Sequence, residues 1–285
     1  QEYFSKVVGY TINELETGRT PSPDVMCNRF IRFGAFVDRF GGEFELVASG
    51  HYARSVRRNG LSRRLRGADP VKDQTYFLSQ MTQQQLQRSL FPIGDLVKTE
   101  VRSEARRYGL PNQDRPDSQG ICFLGRIPYD DFIAFHLGER HGEIRELGTG
   151  RVLGTHRGYW FHTIGQRRGL GLAGGPWYVA SKDVEENIVH VVHAERLDSH
   201  FRTAFEIPGP NWIAAVPSSS RLGVRIRHGA RMMCCDVRVL SSGPVEVELT
   251  EGDPGIAPGQ FAVLYDGEEC LGGGAIAFRA PARSI

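Results

Sequence analysis

Near residue 140 the periodicity of this 285-residue chain changes, and that change limits the folds open to it. Upstream, helix-spaced apolar residues alternate with short strand-like runs, the pattern of an α/β domain. Tyr3, Val7, Tyr10 and Glu14 space a helix over residues 1–17, closed by Gly18. Ser22 is placed to cap the next helix, with Pro23 at its first position and Asp24 at the positive end of the dipole. Met26, Phe30, Phe33, Val37 and Phe40 give that helix one apolar face before Gly41-Gly42. FELVASGHYAR reads as a strand broken at Ser49-Gly50, and Asn59-Gly60 between strand-like arms predicts a hairpin. Helices are expected over about 74–90 and 99–108, the second capped by Thr99 and ended by Gly109 and Pro111. The loop NQDRPDSQG then leads into a short strand, ICFL. Downstream, WYVASKD, NIVHVV, VRIR, CCDVRVL, VEVEL and FAVLY are short strands between Gly and Pro, which suggests one or two small β-barrel modules.

The length exceeds what most single cores accommodate, so two or three domains are expected. With 40% hydrophobic and 24% charged residues, the composition is that of a globular protein, and no apolar run approaches a membrane span. A net charge of +2 says little about partners, but RSVRRNGLSRRLRG (54–67) holds six arginines and no acid. That run is either a phosphate-attracting patch or a solvated hairpin. Cys27, Cys122, Cys234, Cys235 and Cys270 form no CxxC pair, so neither a zinc ribbon nor a secreted disulfide framework is supported.

Several short stretches carry chemistry. In TPSPDVMCN, Cys27 falls near a helix start, where partial positive charge favours a thiolate, and Asp24 lies one turn earlier to handle a proton. A small buried core residue is the competing reading for Cys27, and for Cys122 in DSQGICF. GLGLAG (169–174) matches a dinucleotide-binding pattern, but PWYV follows it and reads as a strand, so a nicotinamide cofactor is rejected. FHTIGQRRGLG (161–171) combines His, Gln and Arg with aromatics, suited either to an RNA backbone or to an ordinary turn. Lys72, Asp73 and Gln74 offer groups to a phosphate or sugar, or simply start a helix.

Taken in order, GRTPSPDVMCN, ASGHYAR, KDQTYFLSQ, LFPIGDLVKTEVR, DSQGICF, FHTIGQRRGLG, PWYV, PGQFAVLY and CLGGG resemble the tRNA-specific 2-thiouridylase (MnmA/TrmU) family over about residues 1–280. The resemblance implies an α/β PP-loop domain, Rossmann-like, at 1–129, a small mostly-β domain at 130–197 and a C-terminal β-barrel at 198–285. It implies ATP, with Mg, to adenylate the C2 oxygen of the wobble uridine in tRNAs for Lys, Glu and Gln, so that sulfur takes its place on C2. Cys122 matches the persulfide-carrying cysteine, Cys27 the second catalytic cysteine that leaves a disulfide with it, and Asp24 the acid at the base. Ser22, Pro23 and Asp24 match the base-contacting segment, and Gly50 an ATP-contacting glycine. His51, Lys72, Asp73, Gln74, Arg227, His228 and Gln260 match tRNA-contact positions, with Ser22 and His228 departing from the commoner Asn and aromatic. The sulfur would come from a sulfur-relay or cysteine desulfurase protein, in the cytoplasm or in a mitochondrion or plastid. The family's SGGVDSS phosphate loop is not in this sequence. The resemblance therefore implies a family member lacking its first strands, whose residues here should by themselves lack ATP binding and a complete first sheet, with a catalytically incomplete RNA-binding remnant as the alternative to the sulfurtransferase.

Overall fold

The computed structural model describes residues 1–114, 127–229 and 231–278. The chain begins with π-helical turns at Phe4–Val8 that run directly into helix α1, Gly9–Glu16, with Gly18 just beyond its end. Helix α2, Pro23–Cys27, continues through π-helical turns at Asn28–Ala35 into α3, Phe36–Phe40. Pro23 occupies the first turn as expected, but the Ser22 side chain makes no capping bond. Its hydroxyl is engaged with the Tyr76 hydroxyl instead.

Strand β1, Val47–Ala48, stops at Ser49-Gly50, and β2, Ala53–Arg58, turns at Asn59-Gly60 into β3, Leu61–Arg66. Both turn residues have positive φ, 51° and 78°, which is what a two-residue type I′ hairpin demands and Asn-Gly supplies. The helix expected over 74–90 is replaced by a 3-10 turn at Thr75–Leu78, a short helix α4 at Gln83–Gln87 and strand β4 at Ser89–Leu90. Tertiary hydrogen bonds explain the difference. The Gln80 amide donates to the Gly273 carbonyl at 2.8 Å, Gln83 to those of Ser62 and Ile213, and Asn211 to those of Ser79 and Met81. Thr82 then starts α4 afresh by a capping box with Gln85.

Helix α5, Lys98–Arg107, begins one residue before Thr99, which is not its cap. The Val97 amide donates to Glu100 Oε2 and the Lys98 amide to Asp69 Oδ2, so carboxylates fill that end. Helix α6, Tyr129–Leu137, follows; the strand expected over ICFL lies outside the described residues. Next come β5 Gly142–Glu146, β6 Val152–His156, β7 Trp177–Asp183 and β8 Ile188–His193, a four-stranded sheet in the order β6-β5-β8-β7. The glycines of GLGLAG lead into β7, not into a helix. The rest is β9 Arg202–Ile207, β10 Asn211–Trp212, β11 Arg221–Arg225, β12 Met233–Val239, β13 Val245–Asp253, β14 Phe261–Asp266 and β15 Glu269–Ala275.

Sheet pairing crosses the whole chain. The order β2-β3-β15-β14-β11-β12-β13-β9 places the early hairpin at the end of the C-terminal sheet, while β1 and β4 form a separate parallel pair. Strand β15 can lie against its neighbours because it is LGGG. A Cβ on Gly272 would sit 2.0 Å from the Asn211 carbonyl oxygen, and one on Gly273 1.9 Å from that of Ala262. One core fills the barrel, from Phe205 to Ile276. A second is shared: Val25, Phe33, Tyr76, Leu78, Met81 and Phe91 pack with Ile213, Phe261, Val263 and Tyr265.

The six-arginine run resolves in the same way. Arg54 pairs with Glu268 at 2.5 Å and Arg63 with Glu269 at 2.9 Å, while the fully buried Arg64 donates to the Leu78 carbonyl. Arg66 reaches Asp73. Arg54 and Arg63 by ion pairs and Arg64 by its contact with the Cys270 sulfur thus fasten the hairpin to the barrel, Arg66 ties it to Asp73, and Arg57 and Arg58 remain exposed.

Asp73 is the centre of this seam. Its carboxylate has no exposed surface, and Arg225 Nη1 lies 2.8 Å from Oδ2 with Arg66 Nε at 3.4 Å. Oδ1 accepts from the Gly67 amide and from both the amide and hydroxyl of Thr75. Removing one member of a buried ion pair strands the other. Asp73→Ala is therefore expected to destabilise the protein by about 3–5 kcal/mol in urea unfolding.

The middle sheet carries buried, neutral histidines. Burial pulls His162 from 6.5 to about 4 and also lowers His156, whose ring lies 5.5 Å from that of His162. The buried Lys182 ammonium, lowered to about 8, donates to the His162 carbonyl. Because the folded histidines titrate below 6.5, the unfolded chain takes up protons first as pH falls. Their contribution is full above pH 6.5 and is lost toward about 4, so the urea midpoint should decline through that window; a constant midpoint would contradict it.

Candidate active site

A cleft of about 770 Å³ forms between the end of α2, the turn after β1, the segment 71–77 and the start of α5, with His228 of the barrel on its rim. Asp24, Asn28 and Arg32 enter it from successive turns of one helical segment. Gly50 stands at the carboxyl end of β1, within a parallel pair, where α/β sheets bind ligands. A Cβ built on Gly50 meets nothing within 4 Å, so its backbone faces open space. The far wall is apolar, formed by Ile93, Leu96, Val101, Ala105 and Leu110. Four cations, Arg32, Lys72, Lys98 and Arg102, line the cleft against the carboxylates of Asp24 and Glu104, a balance that favours phosphates.

Of the residues singled out from sequence, Asp24, Gly50, His51, Lys72, Gln74 and His228 converge here. The His228 ring packs on Phe77 with centroids 4.2 Å apart and planes tilted by 39°, and its pKa is held below 6.5 by desolvation, then by Arg225. The Gln74 side-chain oxygen accepts from the Tyr52 amide at 3.0 Å, which fixes one wall to the other. His51 is only 5% exposed. It touches the cleft from beneath, edge-on to Phe91 and beside Phe33. Burial, then the charges of Arg32 and Arg64, lower its pKa to about 3, so the ring is neutral.

Other residues singled out from sequence lie elsewhere. The Asp73 carboxylate is buried in the ion pair with Arg225. Arg227 makes a two-pronged contact with Asp253 at 3.1 and 2.9 Å and also donates to the Gly255 carbonyl; it does not line the cleft. Gln260 lies at the seam where the Thr20 amide donates to the Pro258 carbonyl, and its Oε1 is buried with no hydrogen-bond partner among the described residues. Ser22 and Pro23 start α2 beside the cleft without lining it. The loop 161–171 packs at that seam too, with Arg167 and Arg168 exposed.

Cys27 has no exposed surface. It ends α2 and does not line the cleft. Cys122 lies outside the described residues. Reasoning from sequence missed Arg32, Phe77, Lys98 and Arg102. For Arg32 a signal existed: Asp24, Asn28 and Arg32 recur every four residues, the spacing of one helix face.

An α/β segment with a cleft at its strand ends, followed by two β segments, defines a three-part chain. Its parts match the models of the tRNA methyl transferase HUP domain (residues 1–126), the tRNA methyl transferase PRC-barrel domain (130–193) and the aminomethyltransferase beta-barrel domain (202–276). Relatives include the tRNA-specific 2-thiouridylase MnmA 1 of Bacteroides thetaiotaomicron, 47% identical over 97% of this chain and 80% of the relative. The MnmA proteins of Parabacteroides distasonis and Porphyromonas gingivalis are 45% and 44% identical over 96% and 97% of this chain, and 78% and 79% of the relatives. This chain belongs to the tRNA-specific 2-thiouridylase family.

The burial pattern makes a chemical prediction. Among the described cysteines, under native conditions with iodoacetamide, the exposed Cys234 should alkylate first, and Cys27, Cys235 and Cys270, all buried, much more slowly. Peptide mass spectrometry over time reads the order; early labelling of Cys27 would contradict the buried position.

Proposed function

We propose that the chain is a tRNA-uridine 2-sulfurtransferase working in this cleft on the wobble uridine of tRNAs for Lys, Glu and Gln. Membership of the family supports the reaction. The single structural observation that carries the assignment is the convergence of residues 24, 50, 72, 74 and 228 on one cationic cleft. A phosphate-bearing ligand fits there: Gly50 leaves room for close approach and Arg32, Lys72, Lys98 and Arg102 supply positive charge. ATP, with Mg, supplies when bound the adenylyl group that makes the uridine C2 oxygen a leaving group.

The residues divide the remaining work. Phe77 and His228 offer two adjacent ring faces, tilted to each other, against which a uracil can rest beside Asp24. Asp24 accepts or returns the proton on the base. The terminal sulfur of a persulfide on Cys122 bonds to C2 as the C2–O bond breaks, and the adenylylated oxygen leaves as AMP. Cys27 sulfur then attacks the Cys122 sulfur, the sulfur–sulfur bond breaks with its electron pair staying on the sulfur bound to C2, and a Cys27–Cys122 disulfide remains. An external thiol reduces that disulfide, and a sulfur-relay or cysteine desulfurase protein reloads Cys122. Since Cys27 is covered, its cover must shift before it attacks, which keeps the thiol from wasteful oxidation between turnovers. The reading places the enzyme with its tRNA in the bacterial cytoplasm or in an organelle.

A thiolation assay on tRNA with ATP and a persulfide donor tests this. In the full-length protein carrying the SGGVDSS loop that this sequence lacks, wild type should form 2-thiouridine, while Cys27→Ser and Cys122→Ser should abolish it and leave tRNA binding intact. Thiolation that survives in either variant would refute the two-cysteine chemistry. Independently, tRNA affinity should fall steeply between 50 and 200 mM salt, as phosphate contacts require.

A further inference from the structure

His51 is buried, neutral and bonded on both sides, yet nothing in the sulfur chemistry uses it. Ser49 Oγ lies 2.6 Å from its Nδ1, and Arg32 Nη1 lies 3.4 Å from its Nε2. A guanidinium only donates, so Nε2 is the acceptor and the ring proton sits on Nδ1, pointing at Ser49. The tautomer is therefore fixed by its two neighbours. The charged groups that face the ring are Arg32 and Arg64, both positive, and the rings of Phe33 and Phe91 close the remaining sides. Gly50, the residue between Ser49 and His51, is exposed and faces the cleft that Arg32 also lines.

We propose that His51 is a positioning residue: the Ser49–His51 clamp shapes the turn that presents Gly50 and holds the Arg32 guanidinium toward a phosphate group lying over it. The assignment rests on the cleft being the substrate site. The phosphate belongs either to the nucleotide or to the tRNA backbone, and both present the same oxygens to the guanidinium. His51 acts through Arg32 and needs no contact with the ligand, which agrees with its burial.

The test uses the full chain and two probes, Mg-ATP by calorimetry and tRNA by filter binding, beside KM and kcat for both. His51→Leu fills the space but removes the acceptor; His51→Gln retains an acceptor near the Nε2 position. His51→Leu and Arg32→Gln should each weaken one of the two affinities about ten-fold or more, raising the corresponding KM more than they lower kcat. His51→Gln should recover most of the loss. The double variant His51→Leu/Arg32→Gln should be no weaker than Arg32→Gln alone, because one interaction is removed twice. The arm that responds identifies the source of the phosphate. Unchanged affinity for both probes, or losses that simply add in the double variant, would overturn the clamp. If thiolation were absent in wild type while phosphate affinity still fell in the variants, the clamp would stand and the sulfurtransferase reading would fail.

Discussion

The buried pair of Asp73 and Arg225 is the constraint on which the rest of the structure depends. Asp73 lies between Lys72 and Gln74, two residues of the cleft wall, and Arg225 lies three residues before His228 on the cleft rim. The bond between their side chains thus sets the distance between a wall supplied by the first part of the chain and a rim supplied by the barrel. Arg66 joins the pair, Thr75 links Asp73 to the Tyr265 hydroxyl, and the Arg225 guanidinium lies 5.4 Å from the Tyr265 ring. Such a cluster adds little net stability over apolar packing, but its geometry is exacting, and an alternative register would leave charges buried and alone. Registry is what a site built from both ends of a chain needs.

The same seam explains the shared core. Strand β3 pairs with β15, Gln80 and Gln83 donate to carbonyls of the barrel, and Tyr76 donates to the Phe261 carbonyl at 3.1 Å. An RNA held by the barrel would therefore meet a cleft already fixed in position. Binding energy would not be needed to bring the parts together.

How much was legible in the sequence depended on where each residue's partners lie. The Asn59-Gly60 hairpin, the Gly-bounded strands after residue 140 and Pro23 at its helix start were readable because turn chemistry and side-chain alternation act locally. The segment 74–90 was not. Its glutamines suit a helix, yet Gln80 and Gln83 donate to carbonyls far along the chain, and those bonds override local preference. Asp73 and Arg227 illustrate the same limit at the site. Motif position marked them as RNA-contact positions, and the local sequence did not show that their charges pair with Arg225 and Asp253. Cys27 was placed correctly on its helix, but its burial depends on packing that a helical wheel does not show. Arg32 could have been found from its spacing with Asp24 and Asn28, and was overlooked because arginine is common throughout this chain.

The claim that the buried pair registers the two walls can be separated from its effect on folding. In Asp73→Asn/Arg225→Met, the asparagine oxygen can still accept from Gly67 and Thr75, and methionine fills the space of the arginine stem. The decisive measurement is the tRNA thiolation rate of this double variant, taken under conditions where its unfolding midpoint shows it to be folded. The account predicts a folded protein whose kcat/KM for tRNA falls about ten-fold or more, about 1.4 kcal/mol of transition-state stabilisation. A folded double variant that thiolates tRNA at the wild-type rate would contradict it.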